Sequence, residues 1–318
     1  MKPAVEPSSV RVRWGPTARD LLAASPRGQV LAVMSQAVYL ECESGELLWL
    51  TTGAAPMHWR AVVLQDAMPQ PSARVAFAAD GSGLTFKGGP SLRWAQAELW
   101  QPTAIPGSAR ARIQALPSRL GTLRSVLAAL PSPRGFGVLL GSVLDGPRTL
   151  AAPSPVVADS PILRQALPAI QAMLGAIHEG DLDGALMLAE SLLGLGEGLT
   201  PSGDDFVGGL LFGFAALHAV DPARLCFSPS ALGRFVATAR DRTNRISHTL
   251  LRDHAAGKAS EPLHRHLAGL LEGESPRVLK QQARAAIEIG HSTGWDTLTG
   301  LWAALATIAP PGPALARG

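Results

Sequence analysis

Gly194-Leu-Gly-Glu-Gly-Leu-Thr-Pro-Ser-Gly-Asp-Asp-Phe-Val-Gly-Gly, residues 194–209, joins two segments that both space apolar residues at intervals of three and four, Ile162 to Leu193 before it and Asp204 to His218 after it. That spacing is the pattern of a helix with one buried face. The glycines at 194, 196, 198 and 203 permit backbone turns that a Cβ resists, and Ser202 and Asp204 are residue types that cap helix starts. The stretch therefore reads as a tight loop that ends one helix and opens the next, and it makes the second half of the chain helical.

The same spacing recurs at Arg110 to Leu130, Ala231 to Ala255, Glu261 to Leu271, Arg277 to Ile289 and Trp295 to Ile308. Phe136 to Leu144 is too short for periodicity to separate a strand from a buried helical segment. From Gln29 to Gln101 the texture differs. Short apolar runs such as Val30 to Glu41, Glu46 to Thr52 and Trp59 to Gln65 are rich in β-branched and aromatic residues and are bounded by Gly, Pro and Ser. Ala73 to Asp80 and Leu84 to Gly89, joined by Gly81-Ser82-Gly83, read as a hairpin whose glycines supply positive φ. The expected class is α+β: a β-rich region over 1–105, a mainly helical region over 106–309, and a flexible tail over 310–318.

Composition sets limits. Of 318 residues 47% are hydrophobic and 17% charged, enough for a buried core. Cys42 and Cys226 supply neither a disulfide framework nor a cysteine zinc site, so a reducing cytoplasm is the expected setting. The opening residues lack the apolar core of a secretory signal. Phe206 to Val220 falls short of the roughly 20 residues of a spanning helix, so no membrane role is expected. Net charge is only +3 and the arginines are scattered, which argues against a nucleic-acid partner and suits a small anionic ligand.

The chemistry concentrates in three segments. In the first, the glycine-rich loop (Gly196, Gly198, Gly203) and the hydroxyls of Thr200 and Ser202 precede a helix start, where backbone amides and the positive dipole end favour a carboxylate or phosphate. Asp204 and Asp205 are acceptable acid/base groups, or ligands for one Mg²⁺, the only cofactor the residues suggest. The plainer reading is an N-cap with a permissive turn. A P-loop is excluded by the missing lysine, and a dinucleotide fingerprint by the helix, rather than strand, that precedes the glycines.

The second segment, Gly290-His-Ser-Thr-Gly-Trp-Asp-Thr-Leu-Thr-Gly-Leu, echoes the first. Ser202-Gly203-x-Asp205 and Thr293-Gly294-x-Asp296 superpose at an offset of 91 residues, and so do Gly209 and Gly300. Each later glycine lies one turn beyond its aspartate, on the same face, where it permits close approach of another helix. Two polar helix starts are thus expected to meet, which favours Asp205 over Asp204 and adds Ser292, Thr293, Gly294 and Asp296 to the candidate binding residues. His291 is a candidate acid/base group. The third segment, residues 240–249, read as continuous helix, puts Thr243 and Ser247 on one face and Asn244 and His248 on a neighbouring stripe. Arg245 offers a planar guanidinium for an anion. Arg240, Arg242 and His248 read equally as a solvated face. No serine sits in a nucleophile-elbow motif, and His254, His264 and His266, without metal-ligand spacing, are expected on exposed helix surfaces.

With GEGLTPSGDDFVGG, RTNRISHTLL and GHSTGWDTLTGL in this order, the sequence resembles the AllH-like family over residues 190–305. The family takes its name from a subunit of the bacterial oxamate carbamoyltransferase. The resemblance implies a role in allantoin and purine nitrogen breakdown, in which oxalurate and phosphate yield oxamate and carbamoyl phosphate alongside other protein subunits. Two alternatives stay open: a non-catalytic anion-binding or scaffolding subunit, and a standalone hydrolase or transferase for another carbamoyl or acyl substrate.

Overall fold

A computed structural model describes residues 9–53, 55–65, 68–104, 115–145, 155–222 and 227–307, which form two compact units divided after Pro102. The expected α+β class holds: strands fill the first unit and helices the second. Cys226 and the expected tail lie outside the described residues.

The first unit is a closed barrel of eight strands: β1 Ser9–Trp14, β2 Arg27–Val33, β3 Ala37–Cys42, β4 Leu47–Thr52, β5 Ala61–Leu64, β6 Ala76–Asp80, β7 Gly83–Phe86 and β8 Ser91–Leu99. Their order around the barrel is β1-β5-β4-β3-β2-β6-β7-β8, with β1 parallel to β8 and β4 parallel to β5. Closure leaves no edge to blunt. Val38, Leu40 and Cys42 alternate inward along β3 and join Val12, Leu50, Leu64, Phe77 and Leu84 in the core. A short helix, α1 (Pro16–Ala24), follows β1 and adds Ala18 and Leu22 to that core. Buried Cys42 is pushed up to about 11 mainly by burial, and buried His58 lies tilted against Trp49, so both pack within the barrel unit.

The β6–β7 hairpin forms where expected but by a different device. Neither Gly81 nor Gly83 has a positive φ. Instead the Asp80 carboxylate accepts the N–H and hydroxyl of Ser82, at 2.8 and 2.7 Å, and shapes the turn itself. Gly83 is needed for space, since a Cβ there would overlap the Leu92 carbonyl.

The second unit contains α2 Leu116–Ala128, α3 Leu140–Asp145, α4 Pro155–Asp159, α5 Pro161–His178, α6 Leu182–Ala189, α7 Ser202–Val220, α8 Pro229–Arg242, α9 Arg245–Ala255, α10 Glu261–Glu272, α11 Pro276–Ile287 and α12 Thr293–Ala306. A 3₁₀ turn, Gly135–Leu139, leads into α3, so the ambiguous run from Phe136 is a buried helical segment. Two expected helices are each broken in two. The run from Ile162 stops at His178: Gly180 turns with φ +82°, and the Asp181 side chain caps α6 by accepting the Gly184 N–H. The run from Ala231 breaks at Thr243-Asn244, where Asn244 Oδ1 accepts the N–H groups of Ile246 and Ser247 and starts α9 afresh. Apolar periodicity continues across both breaks, because each pair of helices covers one core.

Helix α7 is the axis of the unit. At 19 residues it is long and apolar enough to cross a membrane by length and composition, yet most of it is buried within the unit.

Candidate functional site

Helices α7 and α12 make the most extensive helix contact in the unit and run parallel, N-terminus beside N-terminus. Gly209 lies against the Thr297 carbonyl, and Gly300 lies against the Phe206 carbonyl. These four residues are two counterpart pairs at the 91-residue offset, so the contact repeats itself about a pseudo-twofold axis. Gly203 and Gly294 are counterparts too. Each begins its helix directly over a carbonyl of an earlier segment, Leu192 for Gly203 and Ala286 for Gly294. A methyl group at any of the four glycines would overlap backbone, which explains the hydroxyl-Gly-x-Asp-x-x-x-Gly pattern in both copies.

This packing brings the polar helix starts together, as the repeat suggests. Thr200 Oγ1 lies 2.8 Å from Thr293 Oγ1, and Ser202 Oγ lies 3.4 Å from Ser292 Oγ. Neither α7 nor α12 has a side-chain cap, so these hydroxyls are turned toward one another rather than onto the helix amides. Beneath them, Asp205 and Asp296 exchange partners: the hydroxyls of Thr293 and Thr200 favour the charged form of Asp205, and those of Ser202 and Ser292 that of Asp296. The hydroxyls are half-buried, while the two aspartates are 4% and 0% exposed.

Burial holds the Asp205 carboxyl well above the usual carboxylate range, and the charge of Asp296 adds to that. Asp296 is itself pushed up to about 6 by burial, against the hydrogen bonds it receives. The Oδ2 atom of each carboxyl is buried and has no hydrogen-bond partner among the described residues. A buried polar atom left unpaired costs about 1–3 kcal/mol, a penalty that a bound polar group would relieve.

Asp204 faces elsewhere. It accepts the Gly194 N–H at 2.8 Å, the Ser247 hydroxyl at 2.7 Å and the Thr243 hydroxyl, and burial raises its carboxyl despite these bonds. Asn244 caps α9 and donates from Nδ2 to the Leu199 carbonyl at 2.8 Å. Thr243, Asn244 and Ser247 thus fasten the glycine-rich loop to the α8–α9 junction. The single helical face expected for Thr243 and Ser247 is absent because Thr243 is extended, although both still reach Asp204. The adjacent carboxylates of Asp204 and Asp205 consequently engage separate sets of partners. Among the described residues no group of three or more His, Cys, Asp or Glu is placed to hold a metal ion.

The loop glycines divide by role. Gly194, Gly196 and Gly198 have φ of +74°, +123° and +93°, and Gly196 lies against the first amide of α7. The amides of Gly203 and Gly294 are already used by the Leu195 and Ile289 carbonyls, at 2.8 and 2.9 Å, which leaves these two residues a packing role. His291 and Arg245 are both exposed; His291 directly precedes Ser292, whereas Arg245 opens α9.

Two features escape sequence reasoning. The turn Arg134-Gly-Phe-Gly lies on Asp296: the Phe136 N–H donates to Asp296 Oδ1 at 2.5 Å, and Gly135, with φ +52°, has no room for a Cβ beside that carboxyl. Its glycines, after Pro131 and Pro133, signal a turn, but nothing in their spacing links it to an aspartate 160 positions away. The histidines are the second. His254, His264 and His266 are buried, not exposed; Trp302 Nε1 donates to His266 Nε2 at 2.9 Å, and burial lowers the three to about 4, 4 and 3.

Paired helix starts that enclose two buried acids beneath a hydroxyl rim make up a candidate polar small-molecule site within the helical unit. Residues 192–305 match the family described as oxamate carbamoyltransferase subunit AllH, the family whose motifs the sequence resembles. The match takes in α7 to α11 and nearly all of α12. No solved structure matches the chain.

Proposed function

We propose that this chain is a working subunit of an oxamate carbamoyltransferase-like enzyme, and that the paired starts of α7 and α12 bind a small anion and move a proton during carbamoyl transfer. The observation that carries this reading is the reciprocal pairing of Asp205 and Asp296 across the helix starts, each with a buried, unpartnered oxygen. Two helix N-termini attract negative charge. A carboxyl that keeps its proton donates to an anion instead of repelling it, so Asp205 suits the acid and Asp296, pushed up to about 6, suits the base.

For oxalurate and phosphate, a phosphate oxygen bonds to the carbamoyl carbon and the bond from that carbon to the oxamate nitrogen breaks. The leaving nitrogen takes a proton and hydrogen phosphate gives one up. Asp205 supplies the first and Asp296 takes the second, which reverses their protonation for the return step. The cytoplasm and purine nitrogen catabolism are the setting that this reaction implies.

Thermal-shift titration with oxamate, oxalurate, phosphate and carbamoyl phosphate, with and without Mg²⁺, tests the reading. A ligand at 100 times its Kd adds about 2.7 kcal/mol and raises Tm by roughly 5 °C or more. Asp205→Asn is expected to keep anion binding and lose turnover in the assembled enzyme. No shift with any of the four anions sinks the proposal. The family's description as one subunit of an enzyme favours a second reading, an anion-binding scaffold. In that case Asp205→Asn loses binding or assembly rather than turnover.

A further inference from the structure

Among the described residues, the groups brought together at the starts of α7 and α12 are two acids and four hydroxyls, with no full positive charge among them. Helix dipoles supply only partial charge, roughly half a unit at each N-terminus. The missing charge stands on the Arg134–Gly137 turn. Gly135 and Phe136 are pinned to Asp296 by contact and by a hydrogen bond, and Gly137 packs on the ring of Trp295, so the backbone at residue 134 is held at the rim of the site. The Arg134 side chain is exposed and makes one long hydrogen bond, 3.4 Å from Nη1 to the carbonyl of His291, the residue just before Ser292. Its remaining N–H groups have no partner among the described residues. An arginine carries five donors in a planar fork suited to a carboxylate or phosphate. Independent support for a ligand comes from the unpartnered Oδ2 atoms of Asp205 and Asp296, both buried at this rim.

We infer that Arg134 is the cation that pairs with the anionic group of the ligand at the starts of α7 and α12, and that it selects planar, two-oxygen anions. Arg134 lies outside the family-matching segment, so the family match does not assign it. The inference rests on the helix-pair site being an anion site. The glycines beside Arg134 hold it in place for this role. Gly135 lets the turn close over Asp296 without displacing it, and Gly137 lets it settle on Trp295.

The test is calorimetric titration of the full chain with phosphate and with oxamate, comparing wild type, Arg134→Gln, Arg134→Lys and the exposed control Arg277→Gln on α11. A charge-assisted hydrogen bond contributes enough for Arg134→Gln to weaken Kd about tenfold to hundredfold. Arg134→Lys, which keeps the charge but loses the fork, is expected to fall between them and to lose more for oxamate than its charge explains. The control is expected to bind as wild type, and all four proteins to melt alike without ligand. Equal binding by Arg134→Gln overturns the inference and leaves the anion site standing, as does equal weakening in Arg277→Gln. Failure of the wild type to bind either anion removes the site itself, and the inference with it.

Discussion

A carboxyl as deeply buried as that of Asp296 takes its proton at a higher pH in the folded chain than in the unfolded one. With a folded value of about 6, the folded state holds more protons than the unfolded state between about pH 4 and 6, so this group's contribution to stability falls as pH rises through that window. Asn does not titrate, and its Oδ1 can still accept the Phe136 N–H. Asp296→Asn should therefore gain stability relative to wild type by roughly 2 kcal/mol from pH 4 to 7, and urea unfolding of both proteins across that range measures it. An unchanging difference would mean that Asp296 is not held protonated. The buried histidines act in the opposite direction. His254 and His264 stay neutral down to about 4 and His266 to about 3, while the unfolded chain takes up protons from its ordinary histidine pKa downward. Acidification thus costs stability, and the loss below pH 6 should be steeper in Asp296→Asn, which lacks the compensating carboxyl.

The helix pair makes a prediction whose sign separates packing from propensity. In a helix interior Gly→Ala ordinarily stabilises by about 1 kcal/mol. At Gly209 and Gly300 a methyl group would overlap the carbonyls of Thr297 and Phe206, so Gly209→Ala and Gly300→Ala should each destabilise, by about 1–3 kcal/mol or more. Denaturant midpoints decide the sign, and a stabilised variant would contradict the close contact. The α8–α9 break makes another prediction. Asn244 caps α9 and holds the Leu199 carbonyl, so Asn244→Ala should cost about 1 kcal/mol and also loosen the glycine-rich loop, seen as faster amide exchange in residues 194–200 than in wild type. Both helix breaks show why element boundaries are hard to read from sequence. A stripe of apolar residues persists across Gly180 and across Asn244, and only the cap bonds reveal that the chain has stopped and restarted.

Each unit carries its own apolar core: the barrel closes around Leu40, Leu50, Leu64 and Phe86, and the helical unit packs around Phe206, Leu210, Leu298 and Trp302. Scanning calorimetry should accordingly resolve two transitions, and phosphate should raise only the one that belongs to residues 103–318. A single transition, or a shift in both, would show that the units unfold as one. The sequence is most legible where its rules are local. Strand texture, helix periodicity and the glycine-rich helix start follow from steric limits on the backbone and from the 3.6-residue repeat, and the Asp205 and Asp296 pairing is signalled by two copies of one pattern. What stays hidden depends on neighbours distant in the chain. The Phe136 amide on Asp296, the diversion of Asp204 to Thr243 and Ser247, and the burial of three histidines arise when separate segments pack together. The sequence alone thus determined which residues could start helices and approach closely, because those properties belong to each backbone segment. Only the tertiary structure decided which carboxyls are buried together, and so which are pushed above the usual carboxylate range, because desolvation and charge repulsion belong to the assembled neighbourhood.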